Sequence, residues 1–374
     1  MEKDEEIINV KIKTLESQIN INIKKNATLL ELKEKINRIL NIPTLNQRLI
    51  YQGKILQNNS EKADSMLYIN FNQDGSCFAV GTQTGFKILN SIPFKNNFNR
   101  DMNGGIGLIE MLNRSNIVAL IGGGKSPRYS SNKLVLWDDH KQKEISEMRF
   151  MSHVKNVKMK RDRIFAVTED KIYVFNFNTL ELLDTLETKS NNKGLISISL
   201  KGNNIIAYPH RNEIGSVKIK DYDKQSELVI KAHKGPINCL QLNKEGTILA
   251  TASDKGTLIR LFDTSTGENI QELRRGSDNA EIYSIAFDNT NRFLAVSSDK
   301  KTVHIFIISK EDKMENNDNE ENSASNKKSM FGNFANFIGM GKKYFNSEWS
   351  FAFTTNFRIK TGLIIFTITR NNNK

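Results

Sequence analysis

Two stretches set 45 residues apart overlay one another: INCLQLNKEGTILATASDKGTLI at 237–259 and IYSIAFDNTNRFLAVSSDKKTVH at 282–304. Ala250 matches Ala295, Ser253 matches Ser298, Asp254 matches Asp299 and Thr257 matches Thr302. A weaker copy, INFNQDGSCFAVGTQTGFKI, lies at 69–88. A unit of this length holding four short strands cannot bury its apolar faces alone. It has to stack on copies of itself, as the blades of a propeller do. Between 66 and 308, β-rich runs such as SCFAVGT, KLVLWD, KIYVFNF and LIRLFD alternate with Gly, Asn and Asp turns, and helical periodicity is nearly absent. Dividing 66–370 by the repeat predicts an all-β, seven-bladed WD40-like β-propeller.

The first sixty residues follow another pattern. IINVKIKTL and QININI alternate as a hairpin would. TLLELKEKINRIL then places Leu29, Leu32, Ile36 and Ile39 on one helical face, with Thr28 as N-cap. NQRLIYQGKIL reads as a further strand and turn. This order, and the run IPTLNQRLIYQGKIL in particular, resembles ubiquitin. Residues 1–60 are therefore expected to be a partial ubiquitin-like β-grasp segment lacking its closing strand, because only SEKADS precedes the first propeller run. No terminal Gly-Gly is present for conjugation. Ile50 and Leu15 would be the surface for ubiquitin receptors.

Residues 309–346 interrupt the strand rhythm. KEDKMENNDNEENSASNKKS is expected to be disordered. It leads into MFGNFANFIGMGKKYF, where Phe331, Phe334, Phe337 and Ile338 recur at helical spacing beside two lysines. That composition fits a wedge inserted into a membrane interface; the same aromatics also suit a buried strand. The longest apolar run, GLIIFTI, is far short of a span, and the acidic N-terminus MEKDEEIINV lacks a signal-peptide core.

A net charge of +12 favours an anionic partner. Nucleic acid is disfavoured, because the cationic residues are scattered and not interleaved with aromatics. Cys77 and Cys239 sit in apolar runs and read as buried thiols of a reducing compartment. The five histidines, at 140, 153, 210, 233 and 304, lack metal-ligand spacing. IGGGKSP lacks the spacing and following helix of a phosphate loop. No nucleophile–base set is evident, so neither enzymatic activity nor a cofactor is expected.

QELRRGSDN, at 271–279, sets Arg274 beside Arg275. Successive side chains of a strand point to opposite faces, so the two arginines do not easily serve one ligand but can serve two, one on each side. The repeat supplies companions: Thr251, Ser253, Thr257 and Arg260 in one copy, Ser298, Thr302 and His304 in the next, with His233 at the head of the first. Guanidinium, short hydroxyls and imidazole together suit a phosphate. Ser, Asp, Thr and His also make the internal hydrogen-bond network common in blades, and that reading stands beside the first.

LATASDKGTLIRLFDTSTGENIQELRRG followed by VSSDKKTVHIF closely resembles the PROPPINs, seven-bladed propellers that bind polyphosphoinositides in autophagy. The likeness extends through IGGGKSPRYSSNKLVLWDD, VKNVKMKRDRI and KYFNSEWSF. It implies two sites for phosphatidylinositol 3-phosphate or the 3,5-bisphosphate. The first would use His233, Ser253, Gly256, Thr257, Arg260 and Arg274, with Thr251 where serine is common. The second would use Arg275, Gly276, Ser298, Thr302 and His304. It further implies membrane insertion by the 309–346 loop and recruitment of the autophagic bridge-like lipid-transfer protein. The cytoplasmic chain would lie peripherally on pre-autophagosomal and endosomal or vacuolar membranes. After SEWSF the family continues through further strands, whereas this chain ends in FTITRNNNK, so the last blade is expected to be incomplete.

Overall fold

A computed structural model describes residues 7–13, 18–24, 27, 29–42, 47, 49–51, 54–55, 66–308, 348–350 and 352–355. The chain divides into two compact units, Met1–Ser65 and Met66–Lys374.

In the first unit, strands Ile7–Lys13 and Gln18–Lys24 pair antiparallel, setting Ile8 opposite Ile23, Val10 opposite Ile21 and Ile12 opposite Ile19. One face of the hairpin is thus aliphatic, and Ile21, Ile23 and Ile36 of the helix Leu29–Leu40 are buried. Ile39, expected on the same stripe, is 53% exposed; three residues on from Ile36 it has rotated some way off that line and lies in the last turn. Gln47 Nε2 donates to the Lys33 carbonyl (2.8 Å) and the Ile42 carbonyl (2.7 Å), tying the chain after the helix back to it. A short pair, Ile50–Tyr51 with Lys54–Ile55, follows. Thr28 and Leu15 lie outside the described residues.

The second unit is a succession of sheets of four antiparallel strands, spanning 68–101, 106–149, 156–187, 197–231, 237–274 and 282–307 with 352–355, and Glu348–Trp349 adds a fifth, parallel strand to the 237–274 sheet. Apolar residues on facing sides of consecutive sheets form five clusters, one per junction. Ile88 and Ile109 share the first cluster, Ile121 and Val157 the second, Val174 and Ile206 the third, Ile219 and Leu249 the fourth, and Ile259 and Val296 the fifth. Face-to-face stacking of successive four-stranded sheets is propeller packing. In the second blade the middle strands Ile117–Gly122 and Lys133–Asp138 are buried almost throughout, whereas the last strand, Lys143–Arg149, is solvated. Across the first junction the inner strands are tied by Asn70 Nδ2, which donates to Glu110 Oε2 at 2.5 Å. Lys158 of the third blade lies 3.4 Å from the same carboxylate oxygen.

Among the described residues there are six such sheets, which corrects the predicted seven. The division by 45 counted residues 308–351 as a blade. They instead separate the third and fourth strands of the sixth sheet, because Ala352–Thr355 pairs with Thr302–Ile307. Residues 356–370, where a seventh blade would continue, lie outside the described residues, as do Phe331, Phe334, Phe337 and Ile338. No described helix is long and apolar enough to cross a membrane.

Candidate anion-binding site

The fifth blade carries the arginine pair at the end of its outer strand, Asn269–Arg274. Cross-strand register sets Thr251 opposite Arg260 and Arg260 opposite Glu272. By pleat alternation Arg274 shares that face, two residues beyond Glu272. The face looks at the fourth blade, for Leu249 and Phe262 on it pack with Val217 and Ile219. The opposite face, with Ala250, Ala252, Ile259 and Leu273, packs on Leu294, Val296 and Phe306 of the sixth blade. Ser298, Thr302 and His304 share the sides of Val296 and Phe306, so they look back at the fifth blade. Thr251, Arg260 and Arg274 therefore lie in one groove and Ser298, Thr302 and His304 in another, on either side of a single blade.

In the first groove His233 Nε2 lies 2.9 Å from Thr251 Oγ1. Arg260 is engaged already: its Nε donates to Glu272 Oε2 at 2.8 Å and its Nη1 to the Ala232 carbonyl at 2.6 Å. It thus clamps the outer strand and the end of the fourth blade together. Replacing Arg260 by alanine is expected to lower stability by about 1–2 kcal/mol as well as weaken anion binding, read by denaturant unfolding beside a binding titration. Arg274 is 6% exposed and Ser253 8%.

In the second groove the Arg275 amide donates to the Thr257 carbonyl (2.9 Å), its Nε donates to the Gly256 carbonyl (3.1 Å), and its Nη2 donates to the Asp278 carbonyl. Gly256 and Thr257, predicted for the first set, are thus bonded through their carbonyls to an arginine of the second. Those side-chain bonds use two of five guanidinium donors. Ser298 Oγ and Thr302 Oγ1 lie 3.5 Å apart, and Thr302 Oγ1 lies 3.2 Å from His304 Nε2. At Gly276 an added Cβ would meet no protein atom within 4 Å, so the absent side chain leaves open space beside the pair. Gly276→Val is expected to reduce anion binding about tenfold or more by filling that space, with thermal stability unchanged in a melting scan.

The 45-residue overlay conceals a shift. Thr251 pairs with Arg260, but its counterpart Val296 pairs with His304. The hairpin of the sixth blade is one residue shorter, so His304 takes the sheet position that Arg260 holds in the fifth. Each groove thus has one nitrogen base at the same place, a guanidinium in one and an imidazole in the other.

Burial, and then the Arg260 charge, hold His233 at about 4, against an ordinary 6.5; Thr251 and Asp254 oppose the shift without reversing it. Burial and the Arg275 charge hold His304 at about 4 as well. Both rings are therefore neutral at pH 7. Because the unfolded chain takes up these protons first, stability is lost as pH falls from 6.5 towards 4. For His304, 9% exposed, the loss by pH 5 is about 2 kcal/mol. An anion seated against either ring would raise its pKa, so anion affinity is expected to rise as pH falls from 7.5 to 6. Unfolding and titration at three pH values check the two opposite signs, and His304→Gln should shrink both slopes, leaving the share of His233.

Sequence reasoning missed Glu272 as a partner of Arg260. It also missed Ser350, whose Oγ lies 3.2 Å from His304 Nδ1. The pattern of i, i+12 opposition across a hairpin was available for the first; nothing local signals the second. Among the described residues no His, Cys, Asp and Glu group could hold a metal.

Stacked antiparallel blades with an arginine pair shared between two polar grooves define a β-propeller. Residues 65–356 match the family model described as PROPPIN, and residues 8–67 match the ubiquitin family. The chain belongs to the PROPPIN family, whose propellers bind lipid and are not enzymes. It is 37% identical to SVP1-like protein 2 of Saccharomyces cerevisiae, over 78% of this chain and 73% of that one. It is 40% identical to autophagy-related protein 18 of Dictyostelium discoideum, over 66% of each. Among solved structures, Kluyveromyces lactis Hsv2 with its complete loop 6CD superposes with TM-score 0.62 at 26% identity, over 79% of this chain and 84% of that one. A complex of KlAtg21 with the coiled coil of AgAtg16 gives TM-score 0.58 at 28% identity, over 65% and 81%.

Proposed function

We propose that the chain is a peripheral membrane effector of autophagy. It would bind phosphatidylinositol 3-phosphate or the 3,5-bisphosphate through the two grooves that flank Leu273-Arg274-Arg275-Gly276. The observation that carries this is the placement of two hydroxyl-and-imidazole clusters on the two sides of one blade, each served by one member of the arginine pair. Arginine supplies bidentate charged donors, serine and threonine compact ones, and neutral imidazole one more. His233, Ser253, Gly256, Thr257, Arg260 and Arg274 make up the first half-site, Gly256 through its turn geometry. Arg275, Gly276, Ser298, Thr302 and His304 make up the second.

Two sites of modest affinity on one rigid blade act on one membrane by effective concentration. The aromatic stretch at 331–338 adds insertion between the acyl chains in this scheme. Similarity to relatives named for autophagy, and to a propeller solved with a coiled coil of Atg16, supports recruitment of autophagy proteins to such membranes. A bridge-like lipid-transfer protein is the recruited partner in this scheme, on pre-autophagosomal and endosomal or vacuolar membranes.

Calorimetric titration with a soluble short-chain phosphatidylinositol 3-phosphate tests the reading. Two equivalents per chain are expected, and Arg274→Thr and Arg275→Thr should each remove one. A stoichiometry insensitive to both substitutions contradicts it.

The ubiquitin-family match over 8–67 favours a second reading, a propeller scaffold in ubiquitin-linked traffic acting independently of lipid. Pull-down of ubiquitin receptors by residues 1–374, undiminished in Arg274→Thr/Arg275→Thr, separates it from the first.

A further inference from the structure

The last strand of the sixth blade does not begin in the sixth blade. Glu348–Trp349 pairs parallel with the outer strand of the fifth, Glu348 opposite Leu273 and Trp349 opposite Arg274. Three residues on, Ala352–Thr355 pairs antiparallel with the sixth blade, Phe353 opposite His304 and Thr355 opposite Thr302. The returning chain thus crosses the groove of the second half-site, pinned to a blade on either bank. Ser350, 8% exposed, is the described residue of that crossing, and its Oγ lies 3.2 Å from His304 Nδ1.

The hydroxyls and the imidazole form one row: Ser350 Oγ, His304 Nδ1, His304 Nε2, Thr302 Oγ1 and Ser298 Oγ, with successive contacts of 3.2, 3.2 and 3.5 Å. A neutral imidazole has one N–H and one lone pair, and a hydroxyl one hydrogen, so the row has only two directions. If Nδ1 holds the proton, the Thr302 hydroxyl donates inward to Nε2 and turns its lone pairs to the groove, where an anion is repelled. If Ser350 donates to Nδ1, the proton sits on Nε2 and is donated to Thr302 Oγ1. The Thr302 hydrogen is then released to run outward, to Ser298 Oγ or to an anion in the groove, which is the orientation an anion needs.

We infer that Ser350 is a positioning residue of the second half-site, holding His304 in the Nε2–H form so that Thr302 donates to the bound anion. The inference rests on the anion-binding reading of that groove. It makes the strand that returns across the groove part of the binding machinery, through a residue 46 positions from the imidazole it orients.

The test uses full-length chains and soluble short-chain phosphatidylinositol 3-phosphate. In an Arg274→Thr background, which leaves the second half-site to be read alone, Ser350→Ala should weaken binding about fivefold, the size of one lost hydrogen bond. Ser350→Thr, which keeps the hydroxyl, should restore it to within about twofold. In an Arg275→Thr background, which leaves the first half-site, Ser350→Ala should change nothing. Equal losses in both backgrounds would mean that Ser350 merely docks the strand, and no loss in the first would mean that it orients nothing; either overturns the inference. Nitrogen-15 shifts of the His304 ring read the tautomer without any lipid. They should show Nε2–H in the parent chain and a mixture in Ser350→Ala, and an unchanged tautomer overturns the inference even if neither background binds lipid. Failure of both backgrounds to bind, by contrast, counts against the phosphoinositide reading.

Discussion

Vesicles carrying phosphatidylinositol 3-phosphate should lose the protein when Arg274 and Arg275 are both changed to threonine. The expected fall in apparent affinity is more than about 100-fold, whereas each single change costs about tenfold. The difference follows from geometry: the arginines serve grooves on opposite sides of the fifth blade, so one intact groove still holds a headgroup while the double variant has neither. Threonine retains β-propensity at the strand end and a short hydroxyl. The double variant does lose the Arg275 side-chain bonds to the Gly256 and Asp278 carbonyls, so a small fall in melting temperature accompanies the loss of binding. Co-sedimentation paired with a melting scan separates these effects. A double variant that is folded and still bound contradicts the assignment.

Gly256→Val should unfold the same region from its other side. Gly256 has φ +58°, and a Cβ there would lie 1.9 Å from the Ala280 carbonyl oxygen. Both the left-handed backbone and the close approach reject a β-branched side chain. The cost is on the order of 3 kcal/mol or more. Because the Gly256 and Thr257 carbonyls hold Arg275, and Ala280 N donates to the Lys255 carbonyl at 3.0 Å, displacement of this turn also displaces the link between the two half-sites. Chemical denaturation should show a large drop in midpoint, and lipid binding should be lost with it. Gly276→Val, twenty residues further along the chain and in open space, should leave the midpoint alone while still reducing binding, so the two glycines report on different requirements.

The repeat, the alternation of strands and the arginine pair were legible because each is a local pattern. Ser253 and Ser298 lie near the ends of equivalent strands, and the opposite orientation of Arg274 and Arg275 follows from pleating alone. What escaped depends on register or on distant chain. One residue fewer in a hairpin puts His304, and not Ile305, at the place of Arg260. That Arg260 is already paired was not visible, because its partner Glu272 is adjacent only once the third and fourth strands pair. Ser350 reaches His304 from beyond a long insertion, and that same insertion, about one repeat in length, made six sheets count as seven blades. Ile39 shows the limit of a helical stripe, which marks the side that faces a core without marking where the core ends.

Flotation of the unmodified chain tests the central claim most directly. The vesicles should be matched in total negative charge and carry phosphatidylinositol 3-phosphate, the 3,5-bisphosphate, the 4-phosphate or phosphatidylserine alone. The expected result is recruitment to the two 3-phosphorylated lipids and little to the others, since shaped grooves and not the net charge of +12 select the ligand. Equal recruitment to all four compositions, or none to the 3-phosphorylated pair, would contradict it.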